Sequence, residues 1–202
     1  MKKKCYALIL AGGYSERMNF PKAFLDYKGK TFLHSLAELY YKAGIKNIVA
    51  VMNSNYCKDE WRRFIKPVSR YCTVIKNNHP EKGRFHSIKL GINKMKGAGY
   101  CFIQNVDNPF VSKEIVSLLL DNRMDNGYSV PVFSQKGGHP VLVSKRIIEK
   151  INSSPDKDLN LRKMLDDFER NEVQVNDKRV LWNINTMADY KKYITLNNTK
   201  PA

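Results

Sequence analysis

The sequence predicts one α/β domain, Rossmann-like and three-layered, with a mainly parallel sheet and helices on both faces. Three observations carry this reading. Short apolar runs rich in Val, Ile, Tyr and Phe alternate with segments of helical spacing, the pattern of βαβ units. The first apolar run, 5–10, stops abruptly at Gly12-Gly13. Asp107 and the pair Asn183 and Asn185 each follow a later apolar run directly. In open α/β sheets ligands bind beyond the carboxyl ends of the strands, so these distant segments are expected on one rim.

The elements follow in order. Residues 5–10 form the first strand and the glycine loop comes next. Phe32, Leu33, Leu36, Leu39 and Tyr40 space a helix over 31–43, with Thr31 as N-cap and Gly44 as its stop. A strand over 45–52, a polar helix over 56–65 and a strand over 71–76 continue the alternation. A helix over 83–95 and a strand over 100–106 lead to Asp107, and Ser112 caps a helix running through Leu120. Strands over 128–133 and 139–143 flank Gly137-Gly138 and add antiparallel pairing near one sheet edge. Helices near 147–151 and 159–168 precede strands near 172–175 and 180–182, and a last helix covers 186–194. The domain spans 1–196, and 197–202 is read as a frayed tail.

Composition narrows the function classes. No run reaches the ~18 apolar residues that a membrane-spanning helix requires, and the apolar run behind Lys2-Lys3-Lys4 lacks a cleavage pattern, so no membrane association and a cytoplasmic location are expected. Cys5, Cys57, Cys72 and Cys101 show neither paired nor metal-ligand spacing and read as structural thiols of a reducing compartment. The formal charge of +16 favours anionic ligands. Its lysines are scattered, without the clustered Arg and interleaved aromatics of a nucleic-acid groove, so nucleic acid is not the expected partner.

The stretch Leu10-Ala11-Gly12-Gly13-Tyr14-Ser15-Glu16-Arg17-Met18, with Lys22 close behind, carries the most chemistry. Glycines let the backbone turn its N–H groups toward an anion, and Arg17 and Lys22 put positive charge where phosphates would sit. The spacing matches neither G-x-G-x-x-G nor G-x-x-x-x-G-K-[ST], which also argues against a dinucleotide-dependent oxidoreductase. Asp107, at the end of an apolar strand and two residues before Pro109, can hold Mg²⁺ against nucleotide phosphates or serve as a turn aspartate. Asn185 is either a second oxygen ligand or a turn residue. Gly138-His139 is either an acceptor-binding segment or a hairpin turn with an exposed histidine.

The glycine segment resembles the nucleotidyltransferase signature L-A-[GA]-G-x-S-x-R-M followed by Lys. Asp107-Asn108-Pro109-Phe110 resembles the family's D-x-P-[FL], and Asn183-Ile184-Asn185-Thr186 its closing N-[IL]-N-T, with Met187 where Pro is usual. Gly138-His139-Pro140 resembles a segment of the branch that loads cytidylyl groups onto the molybdenum cofactor. The chain is thus similar to the molybdenum cofactor nucleotidyltransferases over nearly its whole length. The fold this implies is nucleotide-diphospho-sugar transferase-like.

The resemblance implies a Mg²⁺-dependent transfer of CMP or GMP from CTP or GTP to a phosphate acceptor, with molybdopterin as that acceptor and pyrophosphate released. It assigns Leu10, Ala11, Gly12, Gly13, Ser15, Gly83 and Ser87 to nucleotide binding, and Arg17 to the departing phosphates. Lys22 answers charge at the α-phosphate, Asp107 and Asn185 hold the metal, and Gly138 and His139 face the acceptor. A molybdoenzyme or its chaperone would receive the product. The guanylyl branch reads L-A-G-G, as here, and the cytidylyl branch L-A-A-G. The later segments look cytidylyl, and that branch leads with GTP close behind. A sugar 1-phosphate acceptor and a non-catalytic nucleotide- or RNA-binding module remain as other readings.

Overall fold

The computed structural model describes residues 4–155 and 159–198. Its centre is β1 (Lys4–Ala11), whose neighbours are β4 (Asn47–Asn53) and β6 (Ala98–Asn105), both parallel to it. The sheet order is β10-β7-β9-β6-β1-β4-β5, with β5 (Thr73–Asn77) and β10 (Arg170–Gln174) at the edges. β7 (Tyr128–Phe133) turns at Ser134 and Gln135, both in the left-handed region with φ of 47° and 64°, into the short β8 (Lys136–Gly137). A second tight ribbon joins β2 (Asp26–Tyr27) to β3 (Lys30–Thr31).

Antiparallel pairing does occur, but inside the sheet. β9 (Val141–Ser144) runs against both β7 and β6 and lies between them, whereas edge strand β10 is parallel to β7. The apolar run of β9 is buried on both sides of its ladder, which an edge place would not permit.

Both sheet faces are covered, and the side-chain alternation of β1 shows it. Ala7, Ile9 and Ala11 enter one apolar core, while Leu8 and Leu10 enter the other. The first core is closed by α1 (Phe32–Lys42) and α4 (Lys113–Asp121), through Leu33, Leu36, Tyr40, Ile115 and Leu119. Thr31 caps α1 by accepting from His34 N–H at 3.2 Å, and Ser112 caps α4 by accepting from Ile115 N–H at 3.4 Å. The second core is closed by α3 (Gly83–Ile92), α5 (Lys145–Ser153) and α6 (Leu161–Leu165). Gly91 lets α3 lie against β1, since a Cβ there would stand 2.3 Å from Leu8 Cδ1.

Three expected elements differ. Residues 56–65 fold as two short 3-10 turns and one helical turn, α2 (Arg62–Ile65). That segment lacks a continuous apolar stripe and is held by ring packing of Trp61 and Phe64 on Phe20 and Phe24. Residues 178–181 form a 3-10 turn rather than a strand, because Asp177 caps it through Arg179 N–H at 3.0 Å. Helix α6 starts at its Asn160 cap and runs for only five residues. The last helix, α7 (Met187–Asn198), takes in the first two residues of the expected tail, and 199–202 lie outside the described residues.

No helix among the described residues is long and apolar enough to cross a membrane. The four cysteines are free, and burial pushes the thiols of Cys5 and Cys72 up to about 12, which suits packing and not nucleophilic chemistry.

Candidate active site

A cavity of about 550 Å³ opens at the carboxyl ends of β1 and β6, where the chain leaves the central strand in opposite directions across the sheet. Leu10, Ala11, Gly12, Gly13, Ser15, Arg17, Lys22, Gly83, Ser87, Asp107 and Asn185 all line it. Every nucleotide- and metal-site residue expected from the sequence is therefore gathered in one place. Gly138 and His139 are not among the lining residues.

The glycine loop is shaped by contact with α3. A Cβ on Gly12 would lie 2.7 Å from Ser87 Oγ, which accepts a hydrogen bond from buried Asn77 Nδ2 at 3.1 Å. A Cβ on Gly13 would meet nothing within 4 Å, so that glycine faces open space. Ser15 takes the left-handed conformation (φ 55°), and its Oγ accepts from Lys22 N–H at 3.1 Å. That bond folds the loop back so that Lys22 returns to the cavity. Tyr56 Oη donates to the Tyr14 carbonyl and ties the outer edge of the loop to the 54–57 turn. Arg17 stands exposed at the rim.

Lys22 joins three segments. Its Nζ donates to Asn185 Oδ1 at 3.0 Å and stands 3.7 Å from Asp107 Oδ2. Desolvation lowers the Lys22 pKa below the ordinary lysine value, and the Asp107 carboxylate partly restores it. Asp107 is placed by its own backbone: its carbonyl accepts from Ile184 N–H at 2.8 Å. Desolvation raises its carboxyl pKa above the ordinary value, against the pull of Lys22 and Arg84.

The turn after Asp107 rests on a buried polar chain. Tyr40 Oη donates to Gln104 Oε1 at 3.1 Å, Gln104 Nε2 donates to the Asn108 carbonyl at 2.9 Å, and Asn108 Nδ2 donates to the Val180 carbonyl at 2.9 Å. Asn185 is fixed by a reciprocal cap at the start of α7. Asp189 Oδ2 accepts from the N–H groups of Asn185 and Thr186, at 3.0 and 2.9 Å, and Asp189 N–H donates to Thr186 Oγ1 at 3.1 Å. Thr186 is thus the N-cap, and Met187 occupies the first helical position without disturbing it.

Asp107 Oδ1 is buried with no hydrogen-bond partner, and Asn185 Oδ1 lies across Lys22 from it. Among the described residues no group of three or more His, Cys, Asp or Glu could form an all-protein metal cage. One carboxylate and one amide oxygen nonetheless suit Mg²⁺, which keeps several waters and completes its shell with substrate phosphates.

His139 lies beside this cavity, half-buried. Its Nε2 is 3.2 Å from Asn105 Nδ2, a group that can only donate, so Nε2 accepts and the ring proton sits on Nδ1. Nδ1 is buried without a partner, and burial pushes the pKa down to about 4. His139 is therefore neutral and committed to Asn105, not the exposed residue of a simple hairpin turn. Gly138 is required by packing, since a Cβ there would meet the Val180 carbonyl oxygen at 2.6 Å. Arg84, which the sequence reading passed over, lines the cavity near Asp107. Its one signal was its place directly after Gly83.

A family model described as "MobA-like NTP transferase domain" matches residues 7–174. A protein of Clostridium perfringens named probable molybdenum cofactor guanylyltransferase is 28% identical over 201 residues, covering 93% of this chain and 95% of that one. A 2-C-methyl-D-erythritol 4-phosphate cytidylyltransferase of Bacteroides fragilis is 32% identical over 115 residues, 55% of this chain and 51% of its own. Among solved structures, a nucleotidyl transferase from Methanothermobacter superposes with a TM-score of 0.80 at 17% identity, covering 96% of this chain and 99% of that one, a likeness of fold. With the match spanning both the glycine loop and Asp107, this chain belongs to the family of MobA-like NTP transferases.

Proposed function

We propose that this nucleotidyltransferase moves GMP from GTP to the terminal phosphate of molybdopterin, releasing pyrophosphate. The observation that carries the reading is one cavity in which the glycine loop, Arg17, Lys22, Asp107 and Asn185 converge from three distant segments. The choice of GTP over CTP rests on two supports. The relative matched over 93% of this chain is named a guanylyltransferase. Gly12 also packs so closely on Ser87, with a Cβ there only 2.7 Å from Ser87 Oγ, that the alanine of an L-A-A-G loop would not fit without a shift.

No protein nucleophile is needed. The chain supplies alignment and charge, the usual sources of rate in phosphoryl chemistry. The Ala11-Gly12-Gly13 backbone holds the nucleotide, Arg17 receives the departing β- and γ-phosphates, and Lys22 answers charge at the α-phosphate. Asp107 Oδ1 and Asn185 Oδ1 would hold Mg²⁺, whose chemistry is to neutralise phosphate charge. Binding that ion requires Lys22 to exchange its contact with Asn185 for one with the substrate.

The test is thermal unfolding with each of the four common NTPs, with and without Mg²⁺. A nucleotide at ~100 times its dissociation constant should add about 2.7 kcal/mol of stability. A Mg²⁺-dependent shift with GTP alone is the expected result. A shift with CTP alone would reassign the nucleotide, and none with any NTP would overturn the reading.

A further inference from the structure

Transfer between two phosphates needs two anion sites, one for the nucleotide and one for the group that attacks it. The glycine loop with Arg17 and Lys22 furnishes the first. His139 was the expected residue of the second, but it is neutral, committed to Asn105 and absent from the cavity wall. The cation on that side is Arg84. It lines the cavity and lies within electrostatic reach of both Asp107 and His139. Among the described residues it makes no hydrogen bond or ion pair, so its five N–H donors are uncommitted. Arg84 is the second residue of α3, whose start carries no side-chain cap, and the positive end of that helix adds to the same potential.

The geometry points to Arg84 as the clamp for the acceptor's phosphomonoester, holding it in the cavity beside Asp107. This rests on the transferase reading above. A planar guanidinium grips two oxygens of a phosphate at once and so fixes its orientation. A third oxygen stays free to form the new bond at the α-phosphorus of the nucleotide. The bond from that phosphorus to the bridging oxygen breaks, and its electron pair leaves with pyrophosphate. Arg84 exchanges no proton. The orphan guanidinium and the uncharged histidine then have one explanation, a pocket whose positive charge is kept for an incoming anion.

The test is calorimetric titration of phenyl phosphate into wild-type protein and Arg84→Ala. Each is first saturated with Mg²⁺ and the α,β-methylene analogue of GTP or of CTP, which cannot transfer. Wild type should bind phenyl phosphate, and Arg84→Ala should bind it at least tenfold more weakly with analogue affinity unchanged within twofold. Arg84→Lys, which keeps the charge and loses the fork, should fall between them. Equal phenyl phosphate binding by wild type and Arg84→Ala, or none by wild type, would overturn the clamp alone. Loss of analogue affinity in Arg84→Ala would place the residue on the nucleotide and also overturn it. If wild type binds neither analogue, the transferase reading itself falls.

Discussion

The Lys22 ammonium stands between Asn185 Oδ1, at 3.0 Å, and Asp107 Oδ2, at 3.7 Å, so one cation bridges the two residues that would hold a metal. A positive charge there keeps two oxygen-bearing side chains facing each other across the cavity before any ligand arrives. It also joins the glycine loop of β1 to the segment that opens α7. Much of the mechanism turns on what happens when this bridge is removed.

Lys22→Ala should lower turnover by about 10²–10³, the loss expected when a single charge-stabilising group is taken from a transition state. Steady-state rates with saturating GTP and Mg²⁺ check this, and near-wild-type turnover would reject the role. Because desolvation lowers the Lys22 pKa in the free protein, the alkaline limb of kcat/KM should fall below the ordinary lysine range.

Asp107→Asn should abolish metal-dependent transfer while leaving the metal-free protein as stable as wild type or more so at neutral pH. The sign follows from linkage. The folded carboxyl pKa is raised, so between the unfolded and folded values the folded state holds the extra proton and loses stability as pH rises. An uncharged amide escapes that loss. Melting curves at pH 7 without metal decide it, and a large drop in Tm would show Asp107 to be structural.

Acid should act on His139. Its folded pKa of about 4 lies below the ordinary value near 6.5, so the unfolded chain takes up the proton first and stability is lost as pH falls from 6.5 toward 4. The loss reaches about 3 kcal/mol at the acid end. His139→Gln carries no titrating group and should show a shallower fall of Tm over that range. Identical slopes would refute the assignment.

Gly12→Ala and Gly13→Ala form a matched pair. The first drives a methyl onto Ser87 Oγ and should cost about 1–3 kcal/mol as well as nucleotide affinity. The second adds a methyl in open space and should leave the fold unchanged. Combining Gly12→Ala with Ser87→Ala should recover much of the stability, and a double-mutant cycle measures the coupling.

The parts of this molecule that were legible in its sequence are those governed by local chemistry. β1 alternates between two cores as its apolar run implies, Thr31 and Ser112 cap the helices they precede, and Asp107 and Asn185 meet on the rim that the strand ends define. What escaped depends on partners distant in the chain. The interior place of β9 is set by pairing with β6 and β7, and no pattern within 141–144 encodes it. The 178–181 turn is fixed by Asp177 and by carbonyls that receive Asn108, a contact visible only after folding. His139 reads as a polar loop residue until Asn105 is seen against its ring.

The reversed direction of β9 has a consequence for how such enzymes can diversify. Parallel strands bring their carboxyl ends to the rim, but β9 brings its amino end, so the segment 138–140 arrives there from the opposite sense and with its own packing against Val180. The sheet is in effect two spliced halves. β1, β4, β5 and β6 carry the loop and the carboxylate, while β7, β9 and β10 carry the 138–140 segment that lies beside the cavity. Exchanging that segment for one of another shape leaves the ladder of the first half intact. On the proposed reading, selection can reshape the flank of the cavity while the glycine loop and Asp107 stay as they are.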